Sequence, residues 1–267
     1  MFEKPKPLVG VLQLLPLPGS VGWKGRIDQV IARAEQEATA MATGGLDALL
    51  VENTWDMPYP ADRMDMAGAV AMGLIIRRIM HFTNLPIGIN VLRNDPETAL
   101  AIAMNVGAKF IRVPLLTGAA LSETGILEGR YAQLAVYRQK LMADNIAVYA
   151  DISLGKAMPL LPVTLKTLAQ QALSIGQADG LILTDSNLSP ADIQEVSHGL
   201  DAPVLFDFPH DVEHLSPYLE AADGLILSNA MKKSSVTMQD LKPTVDLTKV
   251  EEATASAEII RNQLVGV

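Results

Sequence analysis

The hexapeptide Ala-Asp-Gly-Leu-Ile-Leu occurs twice in this chain, at Ala178–Leu183 and at Ala222–Leu227. Each copy runs straight into polar residues: Thr184-Asp185-Ser186 after the first and Ser228-Asn229 after the second. Looser versions stand at Gly45–Asn53 and Gly107–Val113. A glycine, a short wholly apolar run and then polar groups describe a parallel strand buried on both faces, with its carboxyl end in a functional loop. A unit repeated in this way constrains the fold to a ring or sheet of β/α repeats.

Counting the apolar runs gives eight expected strands: Leu8–Leu14, Asp47–Val51, Ile87–Val91, Phe110–Val113, Ala147–Ala150, Gly180–Leu183, Val204–Phe206 and Gly224–Leu227. Helical patterns alternate with them, among them Ile27–Thr43, Met64–Phe82, Pro96–Val106, Gly129–Ala143 and Val212–Leu219, and Leu247–Leu264 closes the set. Asp95-Pro96 and Ser189-Pro190 have the form of an N-cap followed by proline in the first helical turn. Strict alternation implies a parallel sheet, and eight repeats imply a closed (β/α)8 TIM barrel over a doubly wound open sheet. The 267 residues suit one such domain, and no Pro/Ser-rich linker divides residues 1–267.

The composition narrows the function classes. Net charge −9 with no basic stripe argues against a nucleic-acid partner. The absence of cysteine excludes disulfides, thiolate metal sites and thiol nucleophiles. No apolar stretch reaches the ~20 residues of a membrane span, and Met1–Pro7 lacks a signal-peptide pattern. A cytoplasmic protein is expected. No GxGxxG or Walker loop occurs, so no nucleotide cofactor is expected. His210 and His214 stand four residues apart, but His214 falls within a predicted helix and reads as structural, so no zinc site is expected either.

The barrel reading places the chemistry at the strand ends. Strand one leads into Gln13 and a Pro/Gly-fixed loop, strand two into Glu52 and Asn53, strand three into Asn90, Arg93, Asn94 and Asp95. Strand four carries Arg112 and then a long loop; strand five gives Asp151 and Lys156; strand six gives Asp185. Strand seven gives Asp207 and His210, and strand eight Ser228, Asn229, Lys232 and Lys233.

Gly10–Gly19, Val51-Glu52-Asn53 and Gly88–Asp95 closely resemble the BtpA family, as do Phe110–Val113 with Thr117-Gly118-Ala119 and Glu128-Gly129. The resemblance is specific over residues 8–151 and looser beyond. It implies a barrel of the ribulose-phosphate-binding type. It also implies either an enzyme of small-molecule metabolism or, as the family name suggests, a factor in photosystem I biogenesis. Gln13 stands where the family usually has histidine and Pro114 where it usually has asparagine. Thr184–Asn187 and Asp207–His210 replace glycine-containing turns.

Four carboxylates at different strand ends, Glu52, Asp151, Asp185 and Asp207, suit acid/base work, since crowded like charges raise one pKa. They suit a divalent cation equally well, or a structural ion network with Arg93, Arg112 or Lys156. We expect Glu52 and Asp151 as the acid/base pair, with Arg112 between them holding one ionised. Gln13, Asn53, Asn90, Arg93, Lys156, Asp185 and Asp207 are the candidate ligand-binding groups. Pro209 has no N–H and loop seven no glycine, so the usual phosphate cup is not expected there. An anion would fall to Ser228, Asn229 and Lys232, although Lys232 and Lys233 also read as a solvated surface pair. The reading leans to a lyase, isomerase or glycosyl hydrolase acting on a small phosphorylated, sugar-like or nucleoside-like metabolite. A non-catalytic assembly factor is the alternative. The methionine-rich helix over Met64–Phe82 is apolar on more than one side, which predicts a homo-oligomer.

Overall fold

The computed structural model describes residues 2–122, 125–152, 158–160, 162–233 and 242–265. Eight parallel strands close into a barrel in sequential order. They are β1 (Leu8–Gln13), β2 (Ala48–Glu52), β3 (Ile87–Asn90), β4 (Phe110–Val113), β5 (Ala147–Asp151), β6 (Gly180–Leu183), β7 (Val204–Phe208) and β8 (Gly224–Leu227). The two hexapeptide copies therefore lead into β6 and β8 and supply them. Around the barrel stand α1 (Ile27–Thr43), α2 (Met66–Ile79), α3 (Pro96–Val106), α4 (Tyr131–Leu141), α5 (Leu165–Ser174), α6 (Pro190–Ser197), α7 (Leu215–Ala221) and α8 (Leu247–Val265).

The repeated Asp-Gly pair has a physical cause at the amino end of the barrel. In both copies the aspartate accepts a hydrogen bond from an N–H at the start of the preceding strand: Asp179 from Val148 and Asp223 from Val204, each at 2.8 Å. Asp47 does the same for Leu8, at 2.8 Å, and is itself held by Arg261. The glycine one position later in the first copy faces a large interior side chain. A β-carbon on Gly180 would lie 2.3 Å from the Tyr149 ring, and one on Gly88 2.2 Å from the Phe110 ring. The repeat thus fastens the strands at the end of the barrel that serves stability, opposite the end that carries chemistry.

Strand parity sorts the remaining residues. One set, including Leu8, Leu12, Leu49, Val51, Ile89, Leu181 and Leu225, packs against the helices. The other set fills the interior as a separate apolar cluster: Val9, Val11, Ala48, Leu50, Phe110, Tyr149, Ile182, Leu205 and Ile226. At its floor Phe2, Phe110 and Tyr149 meet edge to face, with centroids 5.7–6.3 Å apart. Two residues further along each strand, the same parity delivers Gln13, Glu52, Asn90, Arg112, Asp151, Thr184, Asp207 and Ser228. All eight strands contribute to one polar ring above an apolar plug.

Two elements differ from the sequence expectation. The long loop after β4 is a hairpin, Ala119–Ser122 against Gly125–Glu128, joined by Met158–Pro159 from the next loop. Its alternation buries Ala120 and Leu127 on Leu115 and leaves Leu121 and Ile126 outward. The pattern of Val212–Leu219 divides into a 3-10 turn, Val212–His214, and α7. Among the described residues no helix is long and apolar enough to cross a membrane.

Candidate active site

Arg112 is the hub of the ring. Its Nε and Nη2 donate to the two oxygens of Asp151 at 2.9 and 3.0 Å, and Nη2 also lies 2.8 Å from Asp207. Arg112 and Asp151 side chains are only 8% and 7% exposed. Burial opposes the guanidinium charge, but Asp151, Asp207 and Glu52 outweigh it and hold Arg112 firmly protonated. Burial pushes the Asp151 carboxyl up to about 6; Arg112 pulls it down, and Asp207 and Glu52 push it up again.

Glu52 is placed differently. One oxygen accepts from the Thr54 hydroxyl at 2.7 Å and the other from Asn90 Nδ2 at 3.1 Å. Among the described residues it makes no ion pair, although it is 9% exposed. Asn90 must turn its NH2 toward this carboxylate, which only accepts when ionised. That leaves Asn90 Oδ1 facing elsewhere, buried and without a hydrogen-bond partner among the described residues. Gln13 Nε2 donates to Ser228 Oγ at 3.0 Å and closes the ring between β1 and β8.

The expected pairing therefore needs revision. Arg112 grips Asp151 and Asp207, and among the described residues Glu52 is left with neutral donors alone. The cause is the lateral geometry of the ring: β4 pairs with β5, Arg112 standing opposite Tyr149 and Val113 opposite Ala150, so the Arg112 fork meets the neighbouring Asp151.

Other expected groups are engaged away from the ring. Asn53 accepts from the Leu92 N–H at 2.8 Å and donates to Asp56 at 3.1 Å, fastening the loops after β2 and β3. Asp56 in turn accepts from the Leu17 N–H at 2.7 Å. Asp95 caps α3 through the Thr98 N–H and also takes the Met64 N–H. Asp185 accepts from the Asn187 N–H within its own turn. Arg93 is half-buried in the loop after β3, and Asn229 is exposed. Lys156 lies outside the described residues.

Lys232 corrects the anion-site expectation and the solvated-pair reading together. The short turn Asn229–Met231 carries it against α1, where Nζ donates to Glu37 at 3.0 Å with both side chains under 5% exposed. Burial lowers its pKa while Glu37 opposes that shift. His210 packs against Phe208 and Tyr218, on the side facing α7. Thr54 stands outside the expected set, although a hydroxyl two residues past a mouth carboxylate is the signal that points to it. Among the described residues no group of three or more His, Asp or Glu is arranged to hold a metal ion.

The raised Asp151 carboxyl has a consequence for stability. A carboxyl that titrates higher when folded favours the native state at low pH. Its contribution is full below the ordinary 3.8 and lost as pH rises through about 6. Urea midpoints should therefore decline between those values in the native chain, and this component of the slope should be missing in Asp151→Asn.

Comparison with known proteins places this geometry. The BtpA family model matches residues 4–258. The chain belongs to the BtpA family. The Photosystem I biogenesis protein BtpA of Synechocystis is 40% identical over 91% of this chain and 86% of its own length. An uncharacterized protein of Pyrococcus abyssi is 33% identical over 96% of both chains. Among solved structures, thiamine phosphate pyrophosphorylase from Pyrococcus furiosus aligns with a TM-score of 0.57 over 96% of each chain. Its 13% identity shows the shared barrel alone. The ring of this BtpA-family chain thus has to be read from its own residues.

Proposed function

We propose that this BtpA-family barrel is a cytoplasmic enzyme acting by carboxylate acid/base chemistry on a small sugar-like or nucleoside-like metabolite, phosphorylated or not. Glu52 is the general base or acid. Among the described residues it is a ring carboxylate in no ion pair, so its proton can move without breaking one. The observation that carries the reading is the Glu52–Asn90 pair, with a buried acceptor, Asn90 Oδ1, that no described residue satisfies. Such an orphan costs about 1–3 kcal/mol, and a ligand hydroxyl or amine would satisfy it. Arg112, fixed by Asp151 and Asp207, supplies a permanent positive charge against which a developing oxyanion can form. Lyase, isomerase and glycosyl-bond chemistry all fit this set.

A ligand screen by thermal shift tests the reading, covering sugars, nucleosides, their phosphates and divalent cations. At least one hydroxyl-bearing compound is expected to raise the melting temperature, and Asn90→Ala should abolish that shift. Stabilisation that persists in Asn90→Ala and Glu52→Gln would place the ligand elsewhere. The rival reading, a non-catalytic assembly factor, is favoured by the name of the Synechocystis relative. It expects no small-molecule response at the ring.

A further inference from the structure

The outer face of α2, α3 and α4 holds a trough of about 1010 Å³. Its floor is α3, whose residues Ala99, Leu100, Ile102 and Ala103 are sunk into the protein. One wall is α4, with Val136 outward at 69% exposure, and the other is α2. On α2, Met66, Val70 and Leu74 follow at four-residue spacing and are 80%, 59% and 60% exposed. They form a single apolar ridge along the helix. Beside it runs a row of small residues, Ala69 and Gly73, and a β-carbon built on Gly73 would touch only Ile102, at 3.9 Å. Ridge and trough lie side by side on one surface.

We propose that this face binds the same face of a second copy of the chain across a two-fold axis, each Met66–Val70–Leu74 ridge seated in the other's trough. A two-fold interface requires a surface that complements itself, and a ridge beside a matching trough meets that requirement. Of the four charged residues that line the trough, Arg63, Glu97 and Arg130 are already paired, and Lys140 is the fourth. Arg130 is paired with Glu97 at 2.7 Å and Asp62 at 3.1 Å, and Arg63 lies 3.7 Å from Glu97, so covering the trough strands none of these three arginine–carboxylate contacts. The size is adequate. The 14 residues of α2 span about 21 Å, and three helices about 9 Å apart present on the order of 500 Å² in projection. Allowing for surface roughness, that reaches the ~800 Å² of accessible surface that each partner gives to a standard interface.

The test is the mass of the full chain in solution, by sedimentation velocity at about 20 µM, a level at which a standard-size interface is populated. A dimer is expected. Val70→Glu and Leu74→Glu replace exposed side chains, so each should stay folded by circular dichroism and sediment as a monomer. Ile259→Glu, equally exposed on α8, should remain dimeric. A monomeric native chain would overturn the proposal. So would a dimer that survives Val70→Glu and Leu74→Glu.

Discussion

Arg112→Leu is expected to cost about 3–5 kcal/mol of stability at pH 8, because it leaves the buried Asp151 and the half-buried Asp207 without their shared cation. For a chain of this size that is a fall in melting temperature on the order of 10 °C. The loss should shrink at pH 5. Arg112 is what holds the Asp151 carboxyl down against burial, so without it Asp151 titrates higher still and is neutral in mild acid. The carboxylates then repel less and less charge is buried. Arg112→Leu combined with Asp151→Asn should recover part of the loss at pH 8 and show less dependence on pH. Thermal melts of the native chain, the two single variants and the double variant at both pH values check this. Equal losses at pH 5 and pH 8 would mean that Asp151 and Arg112 are not coupled as the geometry requires.

Glu52→Gln should do the opposite: leave the fold and remove the chemistry. A glutamine has the same shape, its carbonyl can accept from Asn90 and its amide can donate to the Thr54 oxygen, so both hydrogen bonds persist. What it cannot do is take or give a proton. Turnover should fall by roughly 10²–10⁴ with little change in melting temperature, the effect lying in kcat. Asp151→Asn should differ from it, because the bidentate grip of Arg112 needs two carboxylate oxygens. Stability and turnover should fall together there.

The fold was legible in the sequence because each strand is buried on both faces, and its apolar run has to end where polar residues begin. The ring was legible for a related reason: a period of two carries Glu52, Asn90 and Asp151 to the same side as the interior apolar residues. Individual partners were not legible. Lys232 and Glu37 are 195 positions apart, and only the packing of the β8 turn against α1 brings them together. Which carboxylate Arg112 would take depended on strand neighbours, with Glu52, Asp151 and Asp207 all on the same ring. Asn53 read as a mouth residue, yet it is one position past Glu52, so alternation turns it away toward the loop it fastens. The hairpin after β4 was hidden because its four-residue strands are largely exposed, so no continuous apolar run marks them as it marks the equally short barrel strands.

Proton transfer at Glu52 can be tested directly even while the substrate is unidentified. The purified native chain and Glu52→Gln are incubated in parallel with a small-molecule extract of cells, and metabolites are followed by mass spectrometry. With the native chain, at least one hydroxyl-rich metabolite is expected to decline while a product of matching composition accumulates. With Glu52→Gln both should stay level. A metabolite consumed at equal rates by the two proteins, or no metabolite changed by the native chain, would contradict it.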